Sequence, residues 1–253
     1  MAKIIAFANQ KGGVGKTTSA INIASALGIA GKRTLLIDFD PQGNASSGVG
    51  ILKAQAKHTV YDVLIGRCRA EDAIIKTEYK NLSVIPSGVD LAAAELELAE
   101  LENRQNRLRD PLMELSSDYD YILIDCPPSL GMLTINALTA ANGVIIPMQC
   151  EYFSLEGLSQ MMMTIKQVKK LYNPTLSLTG ILITMYNGRL NLSIQVLEEL
   201  KKHYADKLFS VAVTRSVRLS EAPSYGAPIQ YYDKHNKGSE DYGKIASEIM
   251  ERI

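Results

Sequence analysis

Short apolar runs alternate along this chain with longer stretches in which apolar positions recur every three or four residues. Residues 4–8, 33–37, 82–85, 121–124, 143–147, 178–184 and 209–213 read as strands. Most are continuous Val, Ile and Leu runs rather than alternating ones, the pattern of strands covered on both faces. Residues 17–30, 91–101, 155–171 and 192–204 carry the helical period. Strands separated by helical crossovers predict an α/β fold, a mostly parallel twisted sheet flanked by helices. Residues 223–228, Pro-Ser-Tyr-Gly-Ala-Pro, read as a turn. There is no internal repeat, low-complexity tract or long linker, so residues 1–253 are expected to form a single domain.

Composition changes this picture little. Hydrophobic residues make up 46% and charged residues 21%, and 27 basic residues balance 27 acidic ones. Without a net charge, any attraction to nucleic acid or an acidic membrane must come from a local patch. Charge is in fact uneven: residues 87–120 hold nine acids and three bases, whereas residues 186–237 hold eight bases and five acids. Cys68, Cys126 and Cys150 are odd in number and form no CxxC pair, which argues against a disulfide scaffold or self-contained zinc site and fits a reducing cytoplasm. The N-terminus shows no signal-peptide pattern, and no apolar run approaches the ~18 residues of a membrane-spanning helix.

The candidate chemistry begins after the first strand, at Lys11-Gly12-Gly13-Val14-Gly15-Lys16-Thr17-Thr18. A glycine loop between a strand end and a helix start directs several backbone N–H groups, reinforced by the helix dipole, at one anion. Glycines permit the loop dihedrals and keep side chains out of the anion's way. In a phosphate loop Lys16 reaches the β- and γ-phosphates and the Thr17 hydroxyl binds magnesium, so ATP and Mg2+ are the expected ligands. The common spelling GxxxxGK[ST] requires glycine where Gln10 stands, and a second lysine, Lys11, opens the loop.

Acids follow two later strands. Asp38 and Asp40, in Asp38-Phe39-Asp40-Pro41-Gln42-Gly43-Asn44, project the same way from an extended strand end. In a phosphate-loop sheet that end faces the phosphates, where acids hold the magnesium shell and orient an attacking water. The apolar run 121–124 ends in Asp125, placed to hold a magnesium-bound water, and is followed by Cys126-Pro127-Pro128-Ser129-Leu130. No nearby histidine supports Cys126 as a nucleophile, and a packed thiol is expected there.

KGGVGKTT is the deviant Walker A spelling and resembles the family that includes ParA/Soj, MinD and the nitrogenase iron protein. Residues 38–44 resemble its switch I and residues 121–130 its Walker B and switch II. The runs Cys150-Glu151-Tyr152-Phe153-Ser154-Leu155-Glu156-Gly157-Leu158 and Val217-Arg218-Leu219-Ser220-Glu221-Ala222-Pro223-Ser224-Tyr225-Gly226 resemble chromosomal ParA/Soj partition ATPases in particular. The resemblance covers almost the whole chain. It implies a slow ATP hydrolase that forms an ATP-sandwiched homodimer, with Lys11 contacting the nucleotide of the other subunit and Asp40 positioning the hydrolytic water. It further implies non-specific double-stranded DNA binding, with Arg189 and Arg218 at positions implicated in DNA contact and Lys201, Lys202, Lys234 and Lys237 as weaker candidates. Release by a ParB-type activating protein follows, in a cytoplasmic, nucleoid-associated setting. Thr214, Arg215 and Ser216 match positions near the adenine, but Thr214 and Ser216 stand where many relatives have Pro and Asn. The N-terminal helix-turn-helix extension of larger plasmid ParA proteins is not expected here, since the first strand begins at once.

Three other readings use the same loop. A MinD-like membrane ATPase positioning the division site ends in a basic amphipathic helix, whereas residues 238–253 carry four acids and two bases and read as a closing helix packed on the core. A redox protein like the nitrogenase iron protein needs cysteines placed to bridge a cluster, a role Cys126 and Cys150 fit poorly. A small-molecule kinase needs a substrate-binding insertion, of which the sequence shows none.

Overall fold

The structure, a computed structural model, describes residues 1–52 and 55–253. Its centre is a seven-stranded sheet of β1 (Lys3–Phe7), β2 (Thr34–Asp38), β3 (Ile75–Lys76), β4 (Leu82–Ile85), β5 (Tyr121–Asp125), β6 (Gly143–Met148) and β7 (Ser177–Ile183). The spatial order is β3-β4-β2-β5-β1-β6-β7. Every pairing is parallel except the edge pair β3–β4. The continuous apolar runs have the expected cause: β2, β5 and β6 are buried along their whole lengths.

Alternate residues of each strand serve two separate cores, as the two-residue strand period requires. Ile4, Ala6, Leu35, Ile37, Ile122 and Ile124 face one side. That side is covered by α3 (Val60–Ile65), α4 (Leu91–Ala99), α5 (Arg109–Glu114), α6 (Met132–Ala140), α7 (Ser154–Leu171) and α8 (Asn191–Tyr204). Ile5, Phe7, Leu36, Leu123 and Ile145 face the other. There they meet α1 (Lys16–Ile29), α2 (Asn44–Gly48), α9 (Val217–Glu221), α10 (Ile229–Tyr232) and α11 (Lys237–Arg252). Helix α1 is sandwiched between the sheet and α11. Its polar Ser19 and Asn22 are buried with partners: Ser19 Oγ meets the Tyr242 hydroxyl at 3.1 Å, and Asn22 Oδ1 accepts from Ile229 N at 2.7 Å.

One expectation needs correction. Residues 209–213 form no strand. Ile181 N donates to Lys207 O, Phe209 N to Ile181 O and Val213 N to Ile183 O, but the ladder breaks between these points because Ser210 turns its N–H and hydroxyl to Glu248 on α11, at 3.0 and 2.7 Å. The β-like composition of the run serves packing, with Phe209 and Val213 buried under α1 and α11. The short antiparallel β3 escapes the sequence reading because two residues show no period.

Candidate functional site

The parallel register brings the chemistry to one edge. Phe7, Asp38 and Asp125 are side-by-side partners at the carboxyl ends of β1, β2 and β5. Open α/β sheets bind ligands at this edge, where helices begin. The glycine loop runs from β1 into α1. Gly13 and Gly15 sit at φ +72° and +83°, a left-handed conformation that side chains resist. Three side chains brace the loop: Asn9 just past β1, Gln149 just past β6 and Thr184 just past β7. Asn9 accepts from Lys11 N at 3.0 Å and donates to Pro147 O at 2.9 Å. Gln149 donates to Gly13 O at 2.8 Å and the Thr184 hydroxyl to Val14 O at 2.7 Å. Among the described residues, the backbone N–H groups of residues 12–18 make no hydrogen bond within the chain. Polar donors gathered in this way form an anion cradle.

Lys16 is buried at the cradle's base and donates to Lys11 O at 3.0 Å. Burial pulls its ammonium below the usual lysine value, while the charges of Asp125 and Asp40 oppose that. The loop residues Gly12, Gly13, Gly15, Lys16, Thr17 and Thr18 share a cavity of about 440 Å³ with Asp40, Gln42, Asn44, Pro128 and Met185. Asp40 is held by its own turn, its Oδ1 accepting from Gln42 N at 3.0 Å.

The two strand-end aspartates lie deeper and differ. Asp38 is fully buried, and its Oδ2 accepts from both Ser46 N (2.7 Å) and Ser46 Oγ (2.6 Å). Desolvation pushes its carboxyl up to about 6, the Ser46 bonds opposing. Asp125 is also fully buried, but neither oxygen meets a partner in hydrogen-bond geometry. Burial raises its carboxyl well above the usual range, with Asp38 adding to the rise and the Thr17 hydroxyl and Lys16 ammonium countering it. An orphaned buried carboxylate beside a hydroxyl and an anion cradle fits a hydrated divalent cation shared with phosphates. Among the described residues no three His, Cys, Asp or Glu side chains form a self-sufficient metal site.

Thr214, Arg215 and Ser216 line a second hollow of about 110 Å³ that opens beside Gly15 and Thr18 and is bounded by Tyr242. Ser216 also caps α9, its hydroxyl accepting from Leu219 N at 3.5 Å. Lys11 lines neither hollow. Its ammonium pairs with the Glu151 carboxylate, just past β6. The basic candidates lie apart from the cradle. Arg189 is exposed and lines a cavity of about 600 Å³ with Arg215. Arg218, on α9, contacts Glu221 at 3.2 Å and lies over the Tyr232 ring. Lys202 pairs with Glu199 and Lys237 with Asp241, whereas Lys201 and Lys234 are exposed.

Sequence reasoning missed Ser46, Gln149 and Thr184, which hold Asp38 and the loop, because no local pattern ties them to residues up to 170 positions away. Cys126 and Cys150 are buried, and burial pushes both thiols up, Cys150 to about 11, so neither is a ready thiolate. Among the described residues no helix is long and apolar enough to cross a membrane.

Comparison with known proteins agrees with this geometry. A family model described as an AAA domain matches residues 2–178. The sporulation initiation inhibitor protein Soj of Bacillus subtilis is 52% identical over 249 residues, covering 98% of each chain. The chromosome partitioning protein ParA of Caulobacter vibrioides is 50% identical over 252 residues, covering 99% of this chain and 94% of that one. Among solved structures, cobyrinic acid a,c-diamide synthase from Mycobacterium smegmatis with bound ADP and magnesium superimposes with a TM-score of 0.85 at 36% identity, covering 98% of this chain and 93% of that one.

Proposed function

Because this chain belongs to the ParA/Soj family of P-loop ATPases, we propose that it is an ATP-driven switch that segregates a chromosome or plasmid. The observation that carries the reading is the site at the sheet edge: an anion cradle with Lys16 at its base, Asp40 facing the same cavity and the orphaned Asp125 carboxylate beneath. ATP and magnesium fit it. Magnesium, when bound, neutralises phosphate charge and fixes the phosphate geometry.

The chain's own groups divide the remaining work. The N–H groups of Gly12, Gly13, Val14, Gly15, Lys16, Thr17 and Thr18 hold the phosphate chain. Lys16 places its charge on the β- and γ-phosphates, where developing negative charge is stabilised. Thr17, Asp125 and Asp38 are the residues that would hold the cation, Thr17 through its hydroxyl and the two acids through their negative charge. Asp40, on a turn at the cavity wall, orients the attacking water and takes its proton. Thr214, Arg215 and Ser216 border the adenine. Lys11 reaches the nucleotide of a second copy, so that ATP is sandwiched in a homodimer. Doubling the surface that carries Arg189 and Arg218 then gives enough phosphate contacts for salt-sensitive, non-specific binding to double-stranded DNA. A ParB-type partner accelerates an otherwise slow hydrolysis and releases the dimer, which places the protein in the cytoplasm on the nucleoid. All 253 residues act as one ATPase domain.

Position in the fold favours this reading over a membrane switch. The apolar face of α11, with Tyr242, Ile245 and Ile249, is spent on α1 and the sheet and is not available to lipid. The test measures DNA binding and sedimentation together, with ATP, ADP and no nucleotide. The reading expects both a dimer and DNA retention with ATP only, and loss of the dimer in Lys11→Ala. Liposome binding with ATP and no DNA retention would replace it by the membrane reading.

A further inference from the structure

Lys11 has its backbone held at both ends. Its N–H donates to Asn9 Oδ1 and its carbonyl accepts from Lys16 Nζ, each at 3.0 Å. Only the side chain is left to move. In the structure that side chain turns away from the phosphate cavity, which Lys16 lines and Lys11 does not, and pairs with Glu151 of the same chain. Glu151 follows β6 at the same sheet edge, and its neighbour Gln149 already bonds the loop at Gly13. Both partners are near the surface, with side chains 39% and 51% exposed.

From this geometry we propose that Glu151 is a positioning residue that restrains Lys11 in the resting subunit and sets a threshold for dimerisation. The inference rests on the reading of Lys11 as the residue that crosses to the partner's nucleotide. Crossing requires the ammonium to leave Glu151. A half-exposed ion pair in high dielectric is weak and screened by salt, so the restraint is small and reversible. Phosphates carry more negative charge than one carboxylate and outcompete it only when nucleotide fills the opposite subunit. Glu151 therefore disfavours dimers that lack nucleotide without blocking those that hold it. Each dimer breaks two such pairs, one per subunit, so the effect is limited to about twofold to thirtyfold in the dimerisation constant, twice the free energy of one exposed pair.

The test is sedimentation of wild type and Glu151→Gln with magnesium and a non-hydrolysable ATP analogue, at low salt and at high salt. Glu151→Gln preserves shape and removes the charge. The restraint predicts a variant dimer tighter by about twofold to thirtyfold at low salt, with the difference shrinking as salt rises. A merely structural role for Glu151 would not show that convergence. If wild type dimerises and the variant dimerises equally or less well at low salt, the restraint is overturned and the dimer reading stands. If wild type stays monomeric with the analogue, the dimer reading falls and the restraint with it.

Discussion

Asp38→Asn should stabilise the nucleotide-free protein at neutral pH, although it removes a carboxylate that accepts hydrogen bonds from Ser46 and from the Asp40 N–H. Asp38 is fully buried, and desolvation lifts its carboxyl from 3.8 to about 6. Below about pH 4 both folded and unfolded chains hold the proton, and the group costs nothing. As pH rises from about 4 to about 6 the unfolded chain releases its proton while the native one retains it, so native stability falls. Above about pH 6 the full penalty is present, about 3 kcal/mol for a gap of this size. Asp125, in register beside it and also raised by burial, acts in the same direction. Asparagine never ionises. Its carbonyl accepts from Ser46 as Asp38 does, but its amide turns a donor towards the Asp40 N–H and gives up that 3.4 Å bond, a cost of about 1 kcal/mol that does not vary with pH. Urea unfolding of both proteins from pH 4.5 to 7.5 measures the gap directly. We expect the variant's advantage to grow with pH, by about 2 kcal/mol between about pH 4.5 and pH 7.5. Magnesium with nucleotide should narrow the gap, since it compensates the charged carboxylate. A gap that does not change with pH, or a wild type more stable at pH 7.5, would refute the reasoning.

Asp40→Ala leaves the cradle intact, so nucleotide binding and dimerisation should persist while turnover falls by about 10²–10⁴-fold, the usual worth of a general base, as read by phosphate release. Gly15→Ala places a Cβ at φ +83°, which costs about 1–2 kcal/mol for an L-residue; calorimetry should find weakened nucleotide binding and a lowered melting temperature. Arg189→Glu should reduce DNA retention with ATP and flatten its salt dependence, and undiminished binding would remove this residue from the surface. Arg218→Glu should do the same, judged against a melting control because Arg218 also contacts Glu221 and Tyr232.

The sequence by itself determined the sheet and the chemistry of the loop. Apolar runs such as Tyr121–Asp125 can be buried on two faces only in a parallel sheet under helices. The spacing of Gly12, Gly13, Gly15, Lys16 and Thr17 suits nothing so well as phosphate, because strand, loop and helix are contiguous and the geometry is local. The tertiary structure decided what depends on contacts between distant segments. Ser210 turns to Glu248 and breaks a run whose composition promised a strand. Asp38 and Asp125 look alike as acids at strand ends, yet one finds Ser46 and the other is left without a partner. Lys11 reads as a free second lysine, and only the return of the chain after β6 gives it Glu151. Periodicity reports what lies within a few residues along the chain. Which lysine is held depends on segments that meet only when the sheet closes, and which carboxylate is satisfied depends on the loop after β2, whose turn brings Ser46 back to Asp38.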